Sequence, residues 1–321
     1  MQDEKNQSLK LEKRNSFQRN IFRRKYRIGL IIFLIFLFAG SVHLILRHNA
    51  ELKQKAGEEF IRKYLAPSFQ KEPEDLTDED FAKNTSLRLL YPIGELIDLT
   101  FLKKFTNLNK FTFYEGAVTI PQSKPVIPRW KLLLSKLGII DLEDKGSFDL
   151  KPIGELTKLE EVGLGGPMIS DIKPLSKLTN LKSLHLSITQ VTDLKPIKDL
   201  INLQELLLGD SPVSSLEPIK GLINLKNLEI IMTQVSDLGS IRNLINIEKL
   251  YISDSPISDL QPIRGLKNLK ILTIINTQVS DLEPVKNLTN LRKIDLRGCK
   301  QITDKQLEDL HKALPNLEIE R

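Results

Sequence analysis

Apolar residues return at a fixed rhythm along most of this chain. Asp149, Asp171, Asp193, Asp237, Asp259 and Asp281 fall on a 22-residue grid, with Ser215 filling the gap. Counted from each of these positions, apolar side chains stand seven, ten, thirteen, fifteen and twenty residues later. From Asp171 they are Leu178, Leu181, Leu184, Leu186 and Val191. Self-similarity at this period predicts a solenoid, in which each unit buries its apolar side on its neighbours.

Each part of the unit predicts an element. The pair Leu184/Leu186 alternates with period two, so it reads as a short strand with one buried face. Stacked units then form a parallel sheet at about 4.8 Å per strand, on the order of 40 Å long for nine units. The run Asp-Leu-x-Pro-Ile turns the chain back: Asp accepts from free backbone N–H groups and Pro suits the first turn of a helical segment. About ten residues remain for the return, which favours 3₁₀ turns over α-helices. The turn after each strand carries Thr189, Ser211, Thr233, Ser255, Thr277 and Cys299, small side chains that can bond across the stack. Thr-Gln-Val turns alternate with Ser-Pro-Val/Ile turns, so the internal period is 44.

The same frame extends upstream. From Asp98 it gives Phe105, Leu108, Phe111, Phe113 and Val118. From Ile127 it gives Leu134, Leu137, Ile140 and Leu142 and fails at Ser147, with residues 120–126 as an insertion. Nine units are thus expected across 98–303, and Pro92–Leu96, which matches Pro152–Leu156, hints at a degenerate unit before them. Residues 47–97 read as a juxtamembrane helix and N-terminal cap. Asn49 is placed to cap a helix ended by Pro67, and a second short helix begins near Thr77. Residues 304–321, with Leu307, Leu310 and Leu314 at helical spacing, read as a C-terminal cap.

One segment breaks the rhythm. Ile28–Leu46 is 19 residues without a formal charge. As a helix it would reach about 28 Å, close to the roughly 30 Å of a bilayer interior. The rival is a cleaved signal peptide at Ala39-Gly40-Ser41, but the apolar run continues through Leu46 and no polar region follows. Residues 1–27 hold nine basic against three acidic residues, which accounts for the whole net charge of +6. The rest of the chain is balanced, so its basic character does not point to nucleic acid. Charge is densest at Arg23–Arg27, which places the tail in the cytoplasm and the repeats outside it. The expected order is a basic tail (1–27), a transmembrane helix (28–46), the cap, the repeats and the second cap.

Units such as DLEPVKNLTNLRKIDLRGCKQIT resemble the 22-residue leucine-rich repeats of bacterial internalins and the related phosphatase-regulator subclass. The resemblance implies an α/β solenoid of horseshoe form, with a parallel sheet on the concave face and 3₁₀ or short helical turns on the convex face. It also implies recognition of a protein through the concave face. Two departures stand out: Thr or Ser replaces the usual turn Asn, and no wall-sorting signal is visible.

On the concave face the middle column reads His185, Leu207, Glu229, Tyr251, Thr273 and Asp295, flanked by Ile231, Lys249, Ile271 and Ile275. An apolar-aromatic centre ringed by charge suits a protein interface. These ten residues are the candidate partner-binding set. Catalytic signatures are missing: no HExxH, GxSxG, P-loop or GxGxxG context occurs, and His185 with Glu205 and Glu229 reads as chance placement on a polar face. The single Cys299 allows no intrachain disulfide and reads as a buried turn residue. No cofactor or metal is expected. Two other functions remain open on sequence: an envelope protein holding a cell-wall polymer, and a cytoplasm-facing regulatory scaffold. Sugar binding favours aromatic platforms, and only Tyr114 and Tyr251 are placed to serve as such.

Overall fold

The computed structural model describes residues 58–59, 62, 65–67, 69–92, 99–116 and 148–321. The chain divides into residues 1–59 and 60–321, and the fold described below is that of the second part. The apolar run 28–46 and the tail before it lie outside the described residues. Among the described residues no helix is long and apolar enough to cross a membrane.

Among the described residues ten strands form one parallel sheet in strict chain order. They are β1 (Ser86–Pro92), β2 (Lys110–Gly116), β3 (Glu161–Gly165), β4 (Ser183–Ser187), β5 (Glu205–Gly209), β6 (Asn227–Ile231), β7 (Lys249–Ser253), β8 (Ile271–Ile275), β9 (Lys293–Asp295) and β10 (Glu318–Glu320). Register is constant along the repeats: Leu184 pairs with Leu206, Leu206 with Leu228, Leu228 with Leu250. A shift of one residue would turn every leucine to water, so the alternation itself holds this register. The horseshoe expectation narrows to an open solenoid, since β1 and β10 end the sheet without closing it.

The return segments are 3₁₀ turns such as Lys195–Ile197, Glu217–Ile219 and Gln261–Gly265, as the short connections require. The recurrent acid starts each of them. Asp171 Oδ1 accepts from the Lys173 N–H at 2.9 Å, and Asp193, Asp237, Asp259 and Asp281 repeat the contact. Ser215 does the same through its hydroxyl at 3.2 Å. The interior is a continuous stack of fully buried Leu, Ile and Val. Each side chain contributes about 1.5–3 kcal/mol of burial, which binds each unit to the next.

Two expectations about the units change. β2 pairs directly with β3, with Phe111 opposite Val162 and Phe113 opposite Leu164. Among the described residues no strand stands between them; the residues of the unit expected from Ile127 lie outside the described set. Apolar spacing alone cannot report pairing, and that unit lacked both the acidic start and the last apolar position. Conversely, β1 lies within the expected N-terminal cap. Leu87 and Leu89 pair with Phe111 and Phe113, a spacing of 24 that falls out of the 22-residue frame.

The ends are closed differently from the middle. Before β1, the described residues up to Phe69 are helical, two residues past the expected stop at Pro67. Helix α1 (Asp78–Lys83) follows, capped by Thr77 in a reciprocal capping box with Asp80. Asp80 is buried, and hydrogen bonds from Lys71 and Thr77 hold its carboxyl far below the usual range. Phe81 packs on Phe105 at 5.2 Å, so aromatic rings replace the leucine column at this end. A short helical turn, α2 (Lys151–Gly154), precedes β3. At the other end α3 (Asp304–Ala313), capped by Thr303 with Gln306, buries Leu310, and β10 adds a last strand beside β9.

Two side-chain ladders lace the turns. The expected one is only partly formed: Thr233 meets Ser255 at 3.2 Å and Thr277 meets Cys299 at 3.3 Å, but the buried Thr189 and Ser211 hydroxyls have no partner. A second ladder runs through another column. Asn180, Asn202, Asn224, Asn246, Asn268 and Asn290 each donate to a carbonyl of the preceding unit at 2.8–2.9 Å. Asparagine is thus present as a rung-to-rung bond, before the strand rather than after it.

Candidate partner-binding face

Every strand from β4 to β8 alternates half-exposed and buried positions. The half-exposed residues line the open face of the sheet. His185, Leu207, Glu229, Tyr251 and Thr273 stand opposite one another across successive strands, in one column. Lys249 and Ile271 pair in the next column on one side. Ile231 and Ile275 both pair with Ser253 on the other side. Nine of the ten sequence-derived candidates therefore share one partly exposed surface.

Asp295 is the exception. It is 4% exposed, and Arg297 clamps it through Nε at 3.0 Å, through its second guanidinium nitrogen at 2.6 Å and through its backbone N–H at 3.1 Å. These bonds hold its carboxyl below the ordinary range despite burial. A carboxylate so occupied stiffens the end of the sheet and is a poor contact for a partner. Tyr114 is also committed to the fold. A Cβ on Gly165 would stand 2.3 Å from its ring, so the tyrosine lies flat over a glycine shelf rather than forming a free platform.

The polar cluster on β4–β6 has a defined geometry. Ser183 Oγ lies 3.0 Å from His185 Nε2 and donates to Glu205 Oε2 at 2.8 Å. The same Nε2 lies 3.2 Å from Glu205 Oε2. Serine and carboxylate thus meet a single ring nitrogen, whereas a proton relay needs them on opposite nitrogens. Among the described residues no three His, Cys, Asp or Glu side chains converge as metal ligands. Burial raises the Glu205 pKa, but hydrogen bonds from Ser183, His185 and Asn227 outweigh it and leave the carboxyl below its ordinary value. Glu229, paired across the strands with Leu207 and Tyr251, shifts upward because it is desolvated, with repulsion from Glu205 adding to the effect. The face thus combines apolar and aromatic surface with one satisfied carboxylate and one strained one.

Sequence reasoning missed a further column at the rim of this face. Ile188, Asp210, Met232, Asp254 and Asn276 follow the strands and all have positive φ. Nothing in hydrophobic periodicity marks a residue's backbone conformation, and Ile and Met gave no glycine-like signal.

A family model described as leucine-rich repeats (2 copies) matches residues 245–287 and 267–310. Among solved structures, internalin C2 of Listeria monocytogenes is 25% identical with a TM-score of 0.55, covering 73% of this chain and 90% of that one. The L. monocytogenes internalin inlF is 22% identical with a TM-score of 0.50, covering 81% and 87%. A leucine-rich repeat protein of Leptospira interrogans is 21% identical with a TM-score of 0.53, covering 77% and 69%. No curated protein matched the chain. Repeat period, 3₁₀ returns, sheet order and these likenesses agree: the chain folds as a leucine-rich repeat solenoid and is similar to the internalins.

Proposed function

We propose that this protein is a membrane-anchored recognition module that binds a protein partner through the open face of its sheet. The observation that carries this reading is the contrast between the two sides of each strand. Toward the interior every rung from β4 to β8 presents Leu or Ile, while toward solvent the rungs present His185, Leu207, Glu229, Tyr251 and Thr273. Leu207, Ile231, Tyr251, Ile271 and Ile275 supply the apolar anchors, with polar groups around them.

The anchor is residues 28–46, with the N-terminus in the cytoplasm and the repeats outside it. Support comes from the length and apolar continuity of that segment and the cluster Arg23–Arg27 before it. Proteolysis of intact cells tests the topology: repeats that stay whole until lysis would overturn it. Pull-down with the full chain in detergent tests the face. The double substitution Tyr251→Ala, Ile275→Ala should lose the partner, and undiminished capture would reject the face.

A further inference from the structure

The position that follows each strand is locked by the backbone. Its N–H donates to the last carbonyl of the next strand: Ile188 to Gly209 at 2.8 Å, Asp210 to Ile231 at 2.9 Å, Met232 to Ser253 at 2.9 Å. The chain is thereby held at positive φ, 55° at Ile188, 46° at Asp210 and 52° at Met232, whatever the side chain. Gly, Asp and Asn tolerate that conformation, and they fill the column at Asp210, Asp254, Asn276 and Gly298. Ile188 and Met232 break the rule. A β-branched residue is an outlier there, and burial does not compensate, because the two side chains are 58% and 54% exposed. Neither residue belongs to the buried core.

Asp210 stands between them, one rung from each, so the two apolar side chains are about 10 Å apart. Among the described residues its carboxylate makes no hydrogen bond or ion pair. Asp254, in the same column, is held by Ser253 and Asn276. Ile231, at the end of β6, continues the apolar surface inward, and the desolvated Glu229 beyond it adds a second acid without a bonding partner.

We propose that Ile188, Asp210 and Met232 form a docking rim for a protein segment that sets one Lys or Arg between two apolar side chains. Charge complementarity selects the occupant. An uncompensated carboxylate flanked by apolar groups matches a cation on a long methylene stem, which covers the apolar surface while its head meets Asp210. A small free cation would leave Ile188 and Met232 bare. The rim rests on the reading that the open face binds protein, and it extends that surface to its edge.

A random displayed peptide library, selected on the full-length chain, tests it. Enriched peptides should share a Lys or Arg. The pair Ile188→Asn, Met232→Asn should lower their affinity on the order of tenfold, while Tm stays level or rises because Asn accepts the left-handed backbone. Asp210→Asn should weaken the same peptides and reduce their sensitivity to salt. Enrichment without basic residues, affinity that survives the Asn pair, or a falling Tm in that pair overturns the rim. Peptides lost with Tyr251→Ala but untouched by the Asn pair uphold the open face and overturn the rim alone. A library that yields no binder overturns both.

Discussion

Interior and open face are built from the same strands, yet they follow opposite rules. Inward, Leu184, Leu206, Leu228, Leu250 and Leu272 repeat one solution on five successive rungs, all fully buried. Outward, beside each of them, stand His185, Leu207, Glu229, Tyr251 and Thr273, five different chemistries in five rungs. Nearest-neighbour stacking asks each rung to present the next with apolar bulk, so over these rungs the inner side varies only among similar side chains. The outer side has no such neighbour to satisfy. Its variation is free to be set by whatever it touches, which is why the repeat identifies the fold and the departures from repetition identify the surface.

The contrast is open to direct attack. The largest effect is expected inside: Leu228→Ala should cost about 2–5 kcal/mol in denaturant unfolding, because it leaves a cavity between two rungs. Tyr251→Ala should behave oppositely. It should weaken the partner by about tenfold or more, near 1.4 kcal/mol, and shift unfolding by less than about 1 kcal/mol. Equal stability losses for the two substitutions would erase the distinction.

The ladders give a finer version of the same test. Asn224→Ala should cost about 0.5–1 kcal/mol, since it removes the hydrogen bond that its side chain donates to the Ile201 carbonyl at 2.9 Å. Thr233→Val should cost about as much by removing the contact with Ser255. Thr189→Val should lie within about 0.5 kcal/mol of the parent, because its hydroxyl is buried without a partner. Chemical denaturation of the three variants side by side measures this.

The smallest effects concern pH. Glu205 sits below the ordinary glutamate value of 4.5. Its contribution to stability is therefore present above that value and fades as pH falls through its folded pKa. Glu229 sits above 4.5, so its ionisation opposes folding near neutrality and that cost disappears on acidification. Carboxyl NMR titration should place Glu229 on the alkaline side of Glu205. Glu229→Gln should then be neutral or stabilising at pH 7, and Glu205→Gln destabilising. The reverse order of titration would sink this account of the cluster.

Period and polarity carried the interior, because burial repeats wherever stacking repeats. They also placed Leu207, Tyr251, Ile271 and Ile275 on one face, since alternation in a strand leaves no other option. They failed where the determinant is not apolar spacing. β1 escaped because its offset to β2 is 24. The Asn180–Asn290 ladder was hidden among polar positions that look solvent-facing, although Asn recurs there every 22 residues. Asp295 was taken as a contact residue because nothing in the pattern reports that Arg297, two positions on, folds back over it. The left-handed rim at Ile188 and Met232 is the sharpest case, as its backbone N–H groups donate to carbonyls of the next rung.

One measurement bears most directly on the central claim. A photo-reactive phenylalanine analogue is placed in the full chain at Tyr251 on the open face, and separately at Arg264 on the exposed 3₁₀ side, and both are irradiated in the host cell. The account predicts a discrete protein adduct from position 251 and none from 264. An adduct from 264 alone, or none from either, would contradict it.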